Sequence, residues 1–276
     1  MKEMIQARLI TKDAKQDLFS FIIDAKDPTT GYAFTADELW AESRLFVLAG
    51  TNSYVNTSYM PSSPNAGSDT TATVLVATFF YLSRYPEYYE KIVSSIRNTF
   101  PNGNEICSGP KLAQCHYLHV VIDESMRMSP PVGTALWREV CEGGVVVGGE
   151  LIPAGSDVGC SLYSIFHDEQ IFPDASTFNP ERWLPSPEQS QEQIHQARLA
   201  FNPFSIGTRK CQGRYGIDFH RPQGVTDLVG AGSVGAPNGR DNAKEFQINE
   251  HLTPMHDGPF LEFHYGDDLE KALLYN

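Results

Sequence analysis

The sequence predicts a mainly α-helical protein that carries a small β-sheet. Four segments in the first half of the chain have helical spacing of apolar residues or helix-starting signals: 35–48, 68–83, 86–99 and 111–128. After Ala135 the pattern changes to short runs rich in β-branched residues and separated by glycine pairs, which is typical of strands joined by tight turns. Long segments without periodicity follow, and such segments usually surround a binding site.

Composition and charge narrow the class of protein. The chain has 276 residues, of which 41% are hydrophobic, and its formal net charge of -13 argues against binding nucleic-acid phosphates. No apolar run approaches the roughly 18 residues that span a bilayer, and the amino end lacks a signal-peptide core, so we expect a soluble chain without a membrane anchor. Five cysteines without CxxC spacing argue against a disulfide scaffold or a structural zinc site.

The first predicted helix is interrupted. Thr35 and Glu38 form a capping box for the run Leu39–Leu48, which stops at Ala49-Gly50. The polar, proline-containing stretch that follows cannot continue a helix, and the pair Ala-Gly then recurs at Ala66-Gly67. We therefore interpret residues 51–67 as an inserted loop, after which the helix resumes as Ser68–Ser83.

The remaining elements follow from local signals. Pro86 opens a helix to about Thr99, and the amphipathic stretch Lys111–Met128 ends against Pro130 and Pro131. The predicted strands are Leu136–Val140, Val145–Val147 and Glu150–Ile152. We interpret 166–203 and 224–239 as irregular, His167 as a satisfied loop residue, and 245–265 as a final hairpin that turns at Asp257-Gly258.

The most specific string runs from Phe204 to Arg214. It places Cys211 on a glycine-bounded loop beside Arg209, Lys210 and Arg214, and such positive surroundings favour a thiolate that can bind a metal. The alternative for a lone cysteine is a buried small hydrophobic residue.

This string, Phe-x-x-Gly-x-Arg-x-Cys-x-Gly, resembles the haem-binding loop of the cytochromes P450. The resemblance implies that Cys211 is the proximal ligand of the iron in haem b and that Phe204 packs beside it in a loop closed by Gly213. It also implies that Arg209 holds a haem propionate. A lesser match to the family at Trp137-Arg138 implies that Arg138, otherwise a solvated strand residue, holds the second. An anionic sulfur ligand favours cleavage of the O–O bond over reversible storage of dioxygen.

Two further motifs resemble the same family. Glu124 and Arg127 are three positions apart and share one helix face. Together with Arg182 of Phe-Asn-Pro-Glu-Arg-Trp, they match the buried three-residue network that supports the cysteine loop in P450s. The alternative is that Glu124 and Arg127 form an ordinary surface pair. Ala66–Thr71 matches the motif that crosses the distal haem face, which makes Asp69 and Thr70 a proton relay. The alternative is that these residues cap a helix.

The resemblance implies a haem-thiolate monooxygenase that inserts one oxygen atom of O2 into a lipophilic organic substrate, in the manner of fungal secondary-metabolism P450s. Electrons would come from a separate NADPH-dependent reductase docking near Arg209, Lys210 and Arg214, and the family suggests the endoplasmic reticulum membrane, although a chain without an anchor would be soluble and intracellular.

The resemblance covers only part of a cytochrome P450. We expect one truncated P450 domain over residues 1–276, equivalent to the haem-proximal, carboxyl-terminal half of the fold, with an irregular segment, 215–244, replacing a family helix. Loss of a helix removes apolar burial comparable with the roughly 5–15 kcal/mol total stability of a domain, which weakens haem retention. The alternative function is therefore a catalytically inactive remnant or misannotated gene product that at most binds haem weakly.

Overall fold

The computed structural model describes most of the chain between residues 22 and 265. The described residues are 22–42, 66–101, 109–187, 189–211, 214, 225–226, 232–235, 245–246, 248 and 262–265. Residue contacts divide the chain into two compact units, Met1–Asp69 and Thr70–Asn276. No helix among the described residues is long and apolar enough to cross a bilayer.

In the first unit, the predicted capping box starts a helix, α1, whose described part covers residues 36–42. The backbone N–H of Thr35 donates to Glu38 Oε2 at 2.8 Å, and the N–H of Glu38 donates to Thr35 Oγ1 at 3.3 Å. The Tyr32 hydroxyl donates to the same carboxylate at 2.7–2.8 Å. These bonds satisfy donors that the first helical turn leaves free, as the sequence predicts.

The helices α2 (Ala66–Leu82) and α3 (Pro86–Thr99) agree closely with the predicted segments. Of the predicted inserted loop, residues 51–65 lie outside the described part, and Ala66 and Gly67 belong to α2. The predicted helix Lys111–Met128 is in fact two, α4 (Pro110–Ala113) and α5 (His116–Met128). The break falls at Cys115, whose ψ of 69° leaves the helical region while its side chain is buried.

The main hydrophobic core lies in the second unit between α2, α3 and α5. Apolar stripes of α3 and α5 meet there, as amphipathic helices require, whereas α2 is buried on all sides over the residues 79–82. Its buried members include Val74, Phe80, Tyr81, Ile92, Ile96, Leu118, Val121 and Phe178. The Tyr81 and Phe178 rings stack in parallel, with centroids 4.6 Å apart. This contact joins the helical core to the irregular segment that follows.

The β structure consists of three two-stranded antiparallel sheets among the described residues. The strands are β1 (Arg138–Glu139), β2 (Val145–Val147), β3 (Glu150–Ile152), β4 (Asp157–Val158), β5 (Gly232–Gly235) and β6 (Glu262–Tyr265). The β2–β3 hairpin is confirmed, and its turn residues Gly148 and Gly149 have φ of 60° and 89°, which a two-residue turn of this kind needs.

The other two sheets differ from the predictions. β1 is shorter than the predicted Leu136–Val140 and pairs with β4, which the sequence reasoning did not identify. The predicted hairpin within 245–265 stays a prediction, because its turn, Asp257-Gly258, lies outside the described residues; the described strand β6 pairs with β5. That pairing makes a strand of Gly232–Gly235, inside the segment 215–244 that was expected to be irregular.

The segment after α6 (Leu162–Phe166) is largely irregular, as predicted, but contains two elements that the sequence reasoning missed. A 3-10 turn covers Pro180–Trp183, and α7 covers Gln191–Ala200. A capping box between Ser190 and Gln193 begins α7. A second cluster of buried residues packs this region on α5: Val120, Phe172, Ala175, Trp183 and Ala197.

Candidate functional site

The carboxylate of Glu124 is the centre of a buried polar network. It lies on α5, is 0% exposed, and accepts hydrogen bonds from five N–H groups. Arg127 donates to both oxygens at 2.9 Å, and Arg182 donates from Nε at 3.0 Å. The Asn179 backbone donates at 3.0 Å, and Trp183 Nε1 donates at 3.1 Å. The structure therefore brings the predicted residues Glu124, Arg127 and Arg182 together.

The two arginines use their other N–H groups to hold the backbone of the segment after α6. Arg127 Nη1 donates to the Phe166 carbonyl at 2.7 Å, and Arg182 Nη1 donates to the Pro173 carbonyl at 2.8 Å. Arg182 Nη2 reaches two further carbonyls at 3.2 Å, those of Asp174 and Thr177. Burial of ions is tolerated only where charge and hydrogen bonding are both satisfied, and this network meets both conditions.

Sequence reasoning missed Asn179 and Trp183. Asn179 also has a local role, since its side chain accepts the N–H of Glu181 and caps the 3-10 turn. An asparagine followed by proline is a recognisable turn-initiating signal, so this role was readable from the sequence. The bond between the Trp183 indole and Glu124 had no such signal, because it joins residues 59 positions apart.

The segment from Phe204 to Cys211 forms a closed loop. The Cys211 N–H donates to the Phe204 carbonyl at 2.8 Å, and the Lys210 N–H donates to the Gly207 carbonyl at 3.3 Å. Two residues of the loop have positive φ, Ser205 at 60° and Gly207 at 78°. Glycine adopts this conformation without steric cost, which accounts for its place in the motif. Cys211 is exposed, so the alternative of a buried small hydrophobic residue is wrong.

The surroundings of Cys211 are cationic, and one side of the loop is anchored. Arg209 ends a 3-10 turn, Gly207–Arg209, and both Arg209 and Lys210 are exposed. Phe204 packs against the main core, and the Arg214 guanidinium lies 5.9 Å from the centre of its ring. The loop is thus packed on the core through Phe204, and it exposes a thiol and positively charged side chains.

The two other predicted cofactor-binding residues are Arg138 and Gly213. Arg138 lies exposed on β1, and its Nη1 donates to the carbonyl of its neighbour Trp137 at 2.8 Å. Gly213 lies outside the described residues. The assignment of Arg138 to a propionate stays a prediction.

Asp69 and Thr70 lie in the first turns of α2, and both side chains are partly buried. Because α2 begins at Ala66, neither residue occupies its N-cap position, and the interpretation of these residues as a helix cap is wrong. Their role as a proton relay stays a prediction.

His167 is not the fully satisfied loop residue that the sequence reasoning expected. Its Nδ1 lies 3.0 Å from the Tyr163 carbonyl, which places a proton on Nδ1, and its ring stacks on the Tyr163 ring with centroids 4.0 Å apart. The buried Nε2 has no hydrogen-bond partner among the described residues. Burial lowers the pKa of His167, since a charged imidazolium loses its hydration there.

The residues of the cysteine loop fit a haem. An exposed thiol is the donor that a thiolate-ligated iron requires, and the exposed guanidinium of Arg209 suits a propionate. The backbone bond between Cys211 and Phe204 holds the sulfur-bearing residue against a base packed in the core.

Similarity to known proteins covers most of the chain. The family model described as Cytochrome P450 matches residues 64–215. A cytochrome P450 monooxygenase from Gibberella zeae is 35% identical over 99% of this chain and 61% of its own length. Cytochrome P450 monooxygenase AKT7 from Alternaria alternata is 37% identical over 95% of this chain and 51% of its own length. Cytochrome P450 monooxygenase lcsN from Purpureocillium lilacinum is 32% identical over 94% and 75%, respectively.

A solved structure shows the same fold. The crystal structure of a cytochrome P450 (CYP102L1) superposes with a TM-score of 0.70 and 21% sequence identity, covering 96% of this chain and 54% of that chain. The chain thus spans between half and two thirds of the first relatives and about half of this structure. Its architecture is a part of the P450 fold, helix-rich with small antiparallel sheets. The chain belongs to the cytochrome P450 family, whose cofactor is haem b.

Proposed function

We propose that this chain provides the haem-binding part of a monooxygenase that inserts one atom of dioxygen into a lipophilic organic substrate, in fungal secondary metabolism. The observation that carries the proposal is the exposed Cys211 on a loop closed by its own backbone bond to Phe204. The names of the relatives, all of them cytochrome P450 monooxygenases from fungi, support the reaction class.

In this proposal each loop residue has one task. Cys211 ligates the iron through its sulfur, Phe204 packs beside it, and Gly213 completes the loop. Arg209 and Arg138 bind the two propionates as guanidinium–carboxylate pairs. The bound haem supplies the activation of dioxygen.

Asp69 and Thr70 handle protons in the proposed reaction. A carboxyl and a neighbouring hydroxyl can hold a proton and pass it on when both are within hydrogen-bond reach of the acceptor. Their neighbouring positions in the first turns of α2 support this pairing of acid and alcohol.

The electron donor is proposed to be an NADPH-dependent reductase. The exposed cations Arg209 and Lys210, together with Arg214, make a local positive surface on a chain whose net charge is -13, and such a surface attracts an acidic partner. On family grounds the site of action is the endoplasmic reticulum membrane.

The reduced carbon-monoxide difference spectrum of the haem-loaded chain tests the proposal. We expect the Soret band characteristic of thiolate-ligated haem, lost in Cys211→Ala and retained in Cys160→Ala. Cys160 is a matched control because it is also free and exposed but lies outside the loop. A colourless product, or an unchanged spectrum in Cys211→Ala, would contradict the proposal, and the colourless product would favour the inactive remnant.

A further inference from the structure

The Trp183 side chain contacts both the Glu124 network and Phe201, which lies just before the cysteine loop. It is 3% exposed, and its indole N–H donates to Glu124 Oε2 at 3.1 Å. The same ring lies against the Phe201 ring, with centroids 4.9 Å apart and planes at 48°. The guanidinium of Arg198 lies 4.6 Å from the Trp183 ring centre. One side chain therefore combines a polar contact and two packing contacts.

Phe201 connects this contact to the loop. It is the C-cap residue of α7, and its N–H donates to the Ala197 carbonyl at 3.0 Å. It lies three positions before Phe204, whose carbonyl accepts the Cys211 N–H. The Phe201 ring also contacts Phe166, at 5.1 Å between centroids. Only two residues, Asn202 and Pro203, separate Phe201 from the loop.

Arg198 ties the same region to α5 a second time. Its Nη1 donates to Asp123, the neighbour of Glu124, at 2.5 Å, while its guanidinium contacts the Trp183 ring. Cation–π contacts of this kind favour a fixed ring orientation. The indole is thus held by a carboxylate, a guanidinium and aromatic packing.

We propose that Trp183 is a positioning residue for Cys211. Its N–H fixes the ring on the buried carboxylate, and the ring fixes Phe201 and, through it, the segment 202–211, which contains the loop. Trp183 acts through Phe201 without contact with the cofactor. The claim that this positioning serves iron ligation rests on the function proposed above. The connection from Trp183 through Phe201 to the loop does not depend on that function.

Hydrogen exchange of the full chain without haem, followed by mass spectrometry, tests this link. Trp183→Ala removes the hydrogen bond and the two ring contacts, and Trp183→Phe removes the N–H but keeps an aromatic ring. Trp137→Phe is the matched control, since Trp137 is 64% exposed. The segment 86–99, which is α3, reports general loss of stability.

We expect exchange in 202–211 to quicken by about tenfold in Trp183→Phe, the ratio for loss of one hydrogen bond to a charged group. Trp183→Ala should show a larger rise, because it also loses the ring contacts, and Trp137→Phe none, with α3 unchanged in all three. Unchanged exchange in the loop of both Trp183 variants would overturn the inference. So would an equal rise in the loop and in α3, because that pattern means a purely structural role. Failure of the Cys211→Ala spectrum would leave these exchange results intact, so the two proposals fail separately.

A second readout concerns the loaded protein. In Trp183→Phe we expect a smaller share of the reduced carbon-monoxide complex to show the thiolate signature than in Trp137→Phe. Equal shares in the two variants would contradict the role in positioning Cys211.

Discussion

Replacing Glu124 by glutamine removes one negative charge from the centre of the buried network and changes little else in size. In the native protein this carboxylate balances two guanidinium ions, those of Arg127 and Arg182, and Arg127 is completely buried. The amide also places an NH2 group where N–H donors already converge, so at least one donor loses its acceptor. We therefore expect Glu124→Gln to destabilise the fold strongly.

The magnitude follows from the cost of leaving a buried charge without its partner. Removing one member of a buried ion pair costs about 3–5 kcal/mol, a large share of the roughly 5–15 kcal/mol that holds a typical domain together. With a urea m-value of about 2 kcal/mol/M, the midpoint of unfolding should fall by about 2 M. The same change should loosen the segment after α6, whose carbonyls the two arginines hold.

The assay is urea unfolding followed by far-ultraviolet circular dichroism, with Glu181→Gln as the control. Glu181 belongs to the same Pro-Glu-Arg-Trp turn, but its side chain is 45% exposed and its ion pair is with Lys91, which is 50% exposed. Exposed pairs contribute about 0–1 kcal/mol, so the control should shift the midpoint by less than about 0.5 M. Equal midpoints for the two variants would refute the argument that burial makes the Glu124 charge important.

Two other sites give measurable effects on stability. Because burial lowers the pKa of His167, the unfolded chain binds more protons than the folded chain below about pH 6.5. The free energy of unfolding should therefore fall as the pH drops through this value. His167→Asn should remove this part of the pH dependence of the urea midpoint. Identical pH dependence in wild type and variant would contradict this. Phe246 is buried, its ring lies 5.5 Å from that of Phe80, and its N–H donates to the Tyr81 hydroxyl at 3.3 Å. Phe246→Ala should cost about 3–5 kcal/mol by the same unfolding assay, against a small effect of truncating the exposed Phe34, and equal costs would show that the 246 side chain adds nothing to the core.

Elements with local causes are predictable from the sequence. The helices α2 and α3 and the β2–β3 hairpin depend on apolar spacing, Pro86 and a glycine pair, all read within a few residues. The β5–β6 pairing joins strands about 30 positions apart, and no local pattern selects a partner at that distance. The missed helix α7 is a different case, since Ser190 and Gln193 form a visible capping box that the surrounding prolines obscured.

The candidate site divides in the same way. The contact between Glu124 and Arg127 follows from their i,i+3 spacing on α5. Resemblance to a family, and not spacing, brought Arg182 into the prediction, because its contact with Glu124 spans 58 positions. The Trp183 hydrogen bond to the same carboxylate is also a tertiary contact. The sequence can suggest that a tryptophan is buried, but it does not indicate which group accepts the indole N–H.

The buried arginines explain how a largely irregular segment can support a fixed loop. Between Phe166 and Pro180 the backbone has no regular secondary structure, so its buried carbonyls need donors from elsewhere. Arg127 and Arg182 supply them, and their planar guanidinium groups, with five N–H donors each, reach a carboxylate and backbone carbonyls simultaneously. A lysine at either position would offer three donors on one nitrogen and could not span these acceptors. In this segment, hydrogen bonds from the two charged side chains of the Glu124 network therefore take the place of the backbone hydrogen bonds of a helix or sheet. The support beneath the Cys211 loop depends on these charged side chains.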